Sequence, residues 1–145
     1  LDTLAAEAKK INIKMPSSVV AHLAPGFMPK TYGSRPIATP YFVVLGTIEP
    51  RKNHNLLFRV WRKLVEEMGS QAPKLVLIGR RGWECENAVD ILERSEVLRG
   101  FIIEKNACSD TELSTYLHHA QALLFPTLVE GYGMPVIESL MVKRL

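Results

Sequence analysis

The chain has 145 residues, 47% of them hydrophobic and 23% charged, with a formal net charge of +3 at pH 7. This composition is typical of a globular α/β domain with one hydrophobic core, and no apolar run reaches the roughly 20 residues that a membrane-spanning helix needs. The basic residues are scattered and form no stripe interleaved with aromatic side chains, which argues against nucleic-acid binding.

The two cysteines, Cys85 and Cys108, bear on the compartment in which the protein works. Their spacing fits no metal site, and two cysteines in a domain of this size favour reduced thiols in a cytoplasmic protein. The small positive excess suits an anionic substrate or an anionic membrane face. We therefore predict a cytoplasmic protein without a metal site, and we leave open a peripheral contact with the inner face of the membrane.

Residues 1–40 begin with a helical pattern and are then broken by prolines and glycines. The helix is predicted over residues 2–10 and a short extended run over residues 18–23. Prolines and glycines between residues 25 and 40 interrupt every regular pattern that follows. This part of the chain is therefore predicted to be a linker or a segment that wraps around the domain.

From residue 41 onward, apolar runs typical of buried parallel strands alternate with helical patterns. Strands are predicted at residues 41–46, 74–79, 97–103 and 122–125. Helices are predicted at residues 53–68, 84–94, 109–119 and from residue 134 onward. Asn53 is the expected N-cap of the first of these helices, and Ser109 or Asp110 that of the third. This alternation predicts an α/β fold, a Rossmann-like parallel sheet flanked by helices with right-handed crossovers.

Three of the residues that attract attention lie at or shortly after the ends of predicted strands. Gly46, Gly79 and Glu130 each come just after an apolar run. In open parallel sheets the ligand lies at the carboxyl ends of the strands, so we expect these residues to share one edge.

The segment from residue 125 to residue 138 combines a strand end, a glycine-bearing loop and a helix start. Gly131 and Gly133 allow a ligand to approach the backbone, and Pro135 suits the first helical turn. Unpaired N–H groups at such a helix start form a seat for phosphate. Glu130 and Glu138 flank this phosphate site. Because carboxylates repel phosphate, their role is better explained as binding the hydroxyls of a sugar or a ribose. The segment therefore predicts a site for a sugar joined to a diphosphate.

A second candidate segment, residues 46–54, lies between the first predicted strand and its helix. Arg51 offers a planar fork and Lys52 a mobile point charge to diphosphate oxygens, beside the N–H groups of the helix start at Asn53. The alternative is that Arg51 and Lys52 are a solvated loop pair.

The segment from residue 125 to residue 138 resembles the Glu-x7-Glu signature of retaining glycosyltransferases of the GT-B fold, family 4. Spacing alone carries no weight, because Glu96 and Glu104 are also eight positions apart. The likeness depends on the strand, the Gly-x-Gly, the proline and the apolar helix together. It covers about residues 16–145, and the string Glu-Pro-Arg-Lys-Asn from Glu49 looks most like bacterial mannosyltransferases.

The resemblance implies one half of a GT-B enzyme. Residues 1–40 would be the tail of a preceding domain and an interdomain linker. Residues 41–145 would form the nucleotide-sugar (donor) binding domain, truncated at its C-terminus. No complete acceptor domain fits in 145 residues, so we expect a fragment that is inactive in isolation.

The resemblance also assigns roles to single residues. Glu138 would hold the ribose hydroxyls, and Glu130 would contact the donor sugar. The diphosphate would be held by Lys52, Arg51 and the backbone around Gly131, Tyr132, Gly133 and Met134, close to Gly46 and Thr47. In the family an arginine is usual where Thr47 stands, so either Arg51 replaces it or the diphosphate is held less fully. Residues 99–102 match the family's third strand, whose end often meets the nucleobase.

The activity implied is that of a retaining hexosyltransferase. Such an enzyme would move a hexose, with mannose favoured, from a GDP- or UDP-linked sugar to a glycan or lipid-linked acceptor. It would need no cofactor besides this donor, and Glu130, Lys52 and Arg51 would be its catalytic residues. Two alternatives stay open: a non-catalytic nucleotide-binding or scaffold module, and another GT-B enzyme such as a nucleotide-sugar epimerase or a phosphorylase.

Overall fold

The structure is a computed structural model that describes residues 2–17, 19–21, 23, 24, 26 and 29–142. The extended run predicted over residues 18–23 includes Ser18 and His22, which lie outside the described residues, as do residues 143–145 of the final predicted helix.

Parallel strands and helices alternate along the chain as predicted. The strands are β1 (Tyr41–Leu45), β2 (Lys74–Ile78) and β3 (Ile102–Lys105). The α-helices are α1 (Asp2–Lys10), α2 (His54–Met68), α3 (Glu86–Arg94), α4 (Asp110–His119) and α5 (Met134–Met141). Single 3-10 turns occur at Pro50–Lys52 and Gly69–Gln71.

The three strands form a parallel sheet in the order β1-β2-β3, with Tyr41 opposite Lys74 and Leu75 opposite Ile102. Successive side chains of β1 enter different cores because they point to opposite faces of the sheet. Tyr41 packs with Leu117 of α4 on one face. Val44 packs with Phe58 of α2 on the other. The sheet is therefore covered on both faces, as predicted for this class of α/β fold.

The third strand begins later than predicted. β3 covers Ile102–Lys105, whereas residues 97–101 form turns. Two amides, those of Phe101 and Ile102, donate to the carbonyl of Leu98 at 3.0 and 3.2 Å, and Gly100 has a positive φ of 77°. The apolar run is thus divided by a turn, because Leu98 enters the core before the strand starts. The carboxyl end of the strand is Lys105, and residues 99–102 lie at its opposite end.

The predicted fourth strand is reduced to a single parallel bridge between Val43 and Leu123. Val43 donates its amide to the carbonyl of Ala122 at 3.1 Å and accepts the amide of Leu124 at 2.7 Å. Pro126, two residues further on, has no amide hydrogen with which to extend this ladder. Residues 122–124 therefore lie along the edge of β1 that faces away from β2, without forming a regular strand.

The segment before β1 packs on α4. Tyr32 stacks on His118 with ring centroids 3.9 Å apart. Gly33 donates its amide to Thr115 Oγ1 at 3.0 Å, and its carbonyl lies 3.0 Å from His119 Nε2. This end of the segment wraps around the domain, while the assignment of residues 1–40 to a preceding domain stays a prediction. Of the helices in the described part of the chain, none has the length and apolar character that crossing a membrane requires.

Candidate functional site

A cleft of about 360 Å³ opens at the carboxyl ends of all three strands. Gly46 and Thr47, both predicted site residues, line its β1 side. Gly79 lines it after β2, which confirms that these strand ends share one edge. The remaining lining residues are Leu45, Ile78, Arg80, Lys105, Asn106, Ala107, Cys108 and Leu113.

Two cations of this cleft, Arg80 and Lys105, were missed by the sequence analysis as site residues. Arg80 follows Gly79 directly and is exposed, and Lys105 is the last residue of β3. Arg80 could have been found from its place after a strand-ending glycine. Lys105 could not, because the predicted strand ended two residues too early.

The loop that carries Arg51 and Lys52 is built by a tight turn. The amide of Lys52 donates to the carbonyl of Glu49, and that of Asn53 to the carbonyl of Pro50, both at 3.0 Å. Asn53 then adopts a left-handed conformation with φ 55° and makes no side-chain cap. Its side-chain amide instead donates to the carbonyl of Pro126 at 3.3 Å. The predicted start of α2 at Asn53 is confirmed, but the side chain makes no capping bond, because the left-handed backbone departs from the extended conformation usual at an N-cap.

The loop after residue 126 lies directly on the Arg51 loop. Leu128 donates its amide to the carbonyl of Arg51 at 2.8 Å. The hydroxyl of Thr127 lies 3.0 Å from the same carbonyl and 3.3 Å from Glu130 Oε1. These contacts join the two segments that the sequence analysis had singled out separately.

Charged side chains meet where these loops touch. Lys52 is buried and forms a hydrogen-bonded ion pair with Glu130 Oε1. Arg51 reaches the same oxygen at 3.3 Å through Nη1, and its Nε donates to Glu49 Oε2 at 2.8 Å. Both side chains thus contact the loop of the Glu-x7-Glu segment, Lys52 as a buried group and Arg51 with 44% of its side chain exposed.

The position of Lys52 depends on the glycine that ends β1. A Cβ atom on Gly46 would lie 3.3 Å from Lys52 Cε and 3.4 Å from Nζ, so the lysine side chain runs closely over the strand end. Its ammonium also lies 5.9 Å from the ring centroid of Phe125. The cation therefore lies between the strand end and the Glu130 loop.

Glu130 and Glu138 have opposite electrostatic surroundings. The hydrogen bond from Lys52 is the main reason why the pKa of Glu130 is lowered. Burial, with a smaller contribution from the charge of Asp110, raises the pKa of Glu138. Among the described residues, no cation pairs with the Glu138 carboxylate.

The helix that carries Glu138 starts without a side-chain cap. Gly133 is its N-cap, with φ 80°, and Pro135 is its second residue. Gly131 has no positive φ, and a Cβ there would meet nothing within 4 Å. Of the two glycines predicted to shape this loop, Gly133 is the one whose backbone conformation requires it. Tyr132 between them donates its hydroxyl to the carbonyl of Leu23 at 3.1 Å.

His54, the first residue of α2, is a further buried group beside the charged cluster. Burial, and then the positive charge of Lys52, lower its pKa to about 4. His54 is therefore neutral at neutral pH and adds no charge next to Lys52. In the described part of the chain, no group of three or more His, Cys, Asp or Glu side chains is arranged to hold a metal ion.

Comparison of the sequence with a family model assigns this chain to a protein family. The model described as "Glycosyl transferases group 1" matches residues 34–143. The chain belongs to this family. The match includes the sheet and both charged loops, so the family resemblance drawn from the sequence is confirmed.

Relatives in this group 1 family include two mannosyltransferases of Escherichia coli. O-antigen chain mannosyltransferase B is 32% identical over 100 residues, which are 69% of this chain and 26% of that protein. The serotype-specific mannosyltransferase WbdA is 29% identical over 102 residues, which are 70% of this chain and 12% of that protein. The chain therefore spans about a quarter or less of the length of these relatives.

Solved structures of GT-B glycosyltransferases share the fold. The crystal structure of TarM superposes with a TM-score of 0.61 at 17% identity, over 97% of this chain and 27% of that one. The pneumococcal O-GlcNAc transferase GtfA, in complex with UDP and GlcNAc, gives a TM-score of 0.63 at 13% identity, over 97% and 27%. The predicted α/β fold of the GT-B type is confirmed.

Proposed function

We propose that this chain is the donor-binding part of a retaining glycosyltransferase that uses a nucleotide diphosphate sugar. The observation that carries the proposal is the contact of Arg51 and Lys52 with the Glu130 loop at the edge of the sheet where the cleft opens. Two cations and the carboxylate of Glu130 thus meet in a group 1 glycosyltransferase, and a helix that starts without a side-chain cap follows the Glu130 loop.

The diphosphate would be bound by Lys52 and Arg51 together with the backbone amides of residues 131–134. Charge-assisted hydrogen bonds from a lysine and an arginine are suited to phosphate oxygens. Thr47 is uncharged, while Arg51 contacts the same carboxylate oxygen as Lys52. This placement supports Arg51 as the replacement for the arginine that is usual where Thr47 stands.

The nucleoside would occupy the cleft, with Glu138 on the ribose. Asp110, at the start of α4, is close enough to raise the pKa of Glu138, and Cys108 and Leu113 beside it line the cleft. The nucleobase would contact the backbone that follows β3, from Lys105 to Cys108. This replaces the earlier expectation for residues 99–102, which lie at the far end of the strand.

Catalysis would come mainly from stabilisation of the leaving diphosphate. Fixed positive charge and oriented N–H groups favour the charge that develops when the bond between sugar and phosphate breaks. The acceptor hydroxyl would attack the sugar on the face that the diphosphate leaves, which gives retention of configuration. Glu130 would contact the hydroxyls of the transferred sugar. The reaction would need no cofactor besides the donor.

Mannose is the favoured sugar and a glycan or a lipid-linked glycan the favoured acceptor. Both inferences are supported by relatives that are mannosyltransferases, one of them acting on the O-antigen chain. GDP or UDP would be the nucleotide of the donor, and a neighbour of the same fold is in complex with UDP. A cytoplasmic location with a peripheral membrane contact stays a prediction.

Calorimetric titration of the chain with GDP, UDP, GDP-mannose and ATP tests the proposal. We expect saturable binding of GDP or UDP, weaker binding of ATP, and loss of most of the affinity when Arg51 and Lys52 are both replaced by alanine. Absence of binding for both diphosphates would contradict the proposal. Retention is tested in the whole protein by NMR, where the anomeric configuration of the transferred sugar should match that of the donor.

A further inference from the structure

The two cations proposed to bind the diphosphate already have an anionic partner. Lys52 and Arg51 both contact a single oxygen of Glu130, and Thr127 lies 3.3 Å from that oxygen. Since the carboxylate is that close to both cations, a diphosphate bound to them would place its oxygens next to a second anion. Like charges at such distances repel each other. The diphosphate and the carboxylate therefore compete for the same two cations.

Burial limits how this competition can be resolved. Only 11% of the Lys52 side chain is exposed, against 44% for Arg51 and 18% for Glu130. Lys52 is held from one side by the strand end at Gly46 and has little room for two anionic partners. Of the groups in this cluster, the carboxylate is the one that must move.

The loop that carries Glu130 has the freedom for such a movement. Leu128 and Val129 next to it are 70% and 68% exposed, so their side chains are not packed in the core. Gly131 on the other side is exposed and open around its Cα. The loop is thus attached through Thr127 and Leu128 to Arg51 and through the Tyr132 hydroxyl to the carbonyl of Leu23, while the side chains of Leu128 and Val129 between these attachments are exposed.

We propose that Glu130 is a placeholder anion, which neutralises Lys52 and Arg51 until the diphosphate of the donor displaces it. The inference rests on the proposed function and adds a regulation of the same site. The displaced carboxylate of Glu130 is then free to accept hydrogen bonds from the hydroxyls of the sugar that is attached to the bound diphosphate. The binding of diphosphate and the availability of Glu130 to the sugar are then coupled.

This coupling has a consequence that a simple sugar contact lacks. If Glu130 only touched the sugar, Glu130→Gln would leave the affinity for a bare nucleoside diphosphate unchanged. If Glu130 competes with the diphosphate, Glu130→Gln removes the competitor. We expect the affinity for the bare nucleoside diphosphate to rise about three- to tenfold, because the ion pairs of Glu130 with Lys52 and Arg51 no longer have to be broken.

The experiment uses GDP, UDP and inorganic pyrophosphate as probes in calorimetric titrations at low salt. The matched control is Glu104→Gln, which removes the same charge from a carboxylate that is also 18% exposed and is paired with Arg81 at 2.9 Å. We expect Glu130→Gln to tighten both the nucleoside diphosphate and pyrophosphate, whereas Glu104→Gln should change neither by more than about twofold. Circular dichroism verifies that both variants are folded.

A double-mutant cycle tests whether Lys52 is the main cation for which Glu130 and the diphosphate compete. In the Lys52→Ala background, the gain from Glu130→Gln should fall to less than half, since the main ion pair is already absent. In Glu130→Gln, the affinity for the nucleotide sugar should decrease relative to that for the bare nucleotide. The reason is that the hydroxyls of the sugar no longer have the Glu130 carboxylate as hydrogen-bond acceptor. Together these results would support displacement of Glu130 by the diphosphate.

Two failures are distinguishable. If the unaltered chain binds neither GDP nor UDP, the proposed function itself is wrong. If it binds one of them and Lys52→Ala weakens that binding, but Glu130→Gln leaves it unchanged or weaker, the placeholder role is overturned while the site stands. An equal gain from Glu104→Gln would also overturn the role, because the effect would then be one of net charge.

Discussion

The loop around Glu130 and the helix around Glu138 each present a glutamate, eight positions apart, but their surroundings shift the pKa of the two carboxyl groups in opposite directions. Glu130 is paired with Lys52 and Arg51, and its pKa is lowered. Glu138 is partly buried, none of the ion pairs among residues 2–142 that the structure describes involves it, and its pKa is raised. The first carboxylate is stabilised as an anion by its surroundings, while the second is destabilised.

This difference shows that the two glutamates of the signature are not interchangeable. A carboxylate already paired with cations must exchange partners when an anionic ligand arrives. A partly buried carboxylate that has no ion pair within the described part of the chain gains from any hydroxyl donor that arrives. Under the proposed function, Glu130 would therefore compete with phosphate, and Glu138 would bind the neutral ribose.

Removal of the two cations beside Glu130 should have the largest effect on nucleotide binding. Replacing both Arg51 and Lys52 by alanine should weaken nucleoside diphosphate binding by about 2–4 kcal/mol, because charge-assisted hydrogen bonds contribute about 1.5–3 kcal/mol each. Calorimetry measures the change. In the same variant, NMR titration should find the pKa of Glu130 moved back towards its ordinary value and that of Glu138 unchanged. Unchanged nucleotide affinity would remove both cations from the site.

Gly133 lies between the Glu130 loop and the helix that carries Glu138. Its substitution should lower the free energy of unfolding. Gly133→Ala places a side chain on a residue with φ 80°, which costs roughly 1–2 kcal/mol in the left-handed conformation. We expect this loss in the free energy of unfolding measured with urea. Gly131→Ala is the matched control, because Gly131 has no positive φ and an open surrounding. A similar loss in both variants would refute the special role of Gly133.

A third prediction concerns Glu138 alone. Glu138→Gln should weaken binding of the bare nucleoside diphosphate by about 1 kcal/mol, since a neutral amide accepts hydroxyl hydrogen bonds less strongly than a carboxylate does. Glu130→Gln is the comparison variant and should act in the opposite direction. The same sign of change in both variants would contradict the division of roles. Titration with the 2′,3′-dideoxy nucleotide provides a control, because it lacks the hydroxyls and should be insensitive to Glu138→Gln.

The smallest expected effects are on stability, and their signs differ. The raised pKa of Glu138 means that its ionised form opposes folding at neutral pH, an effect that disappears as the pH falls through that pKa towards 4.5. The lowered pKa of Glu130 means that its ion pairs stabilise the fold above about pH 4.5 and are lost as the pH falls through the lowered value.

At pH 7, Glu138→Gln should therefore raise the free energy of unfolding and Glu130→Gln should lower it. Each change should be below about 1 kcal/mol, because solvent screens both partly exposed groups. Urea unfolding between pH 7 and pH 4 measures them. The gain in Glu138→Gln should shrink as the pH approaches 4.5, while the deficit in Glu130→Gln should persist down to that pH. Changes of the same sign at pH 7 would contradict the proposed environments.

Local patterns in the sequence were sufficient for most of the architecture. The apolar run at residue 41 predicted β1, and the helical spacing after Asn53 predicted α2 with its end at Met68. The capping box of Ser109 with Glu112 starts α4 where a polar residue before a helical pattern predicted it. Each of these features depends on residues within one or two turns of each other. The loop residues Gly46, Thr47 and Lys52 could be placed at one sheet edge because parallel strands end together.

Contacts between distant parts of the chain were decided only by the tertiary structure. The turn that delays β3 depends on Leu98 entering the core, and the fourth strand is a single bridge because the chain leaves β1 at Pro126. Neither fact changes the hydrophobic pattern from which strands are predicted. The ion pair between Lys52 and Glu130 joins residues 78 positions apart. The strand, glycine loop and helix around them identified the two glutamates as a pair, but only folding placed Lys52 and Arg51 beside Glu130. The charge near a side chain is set by packing and not by its sequence neighbours.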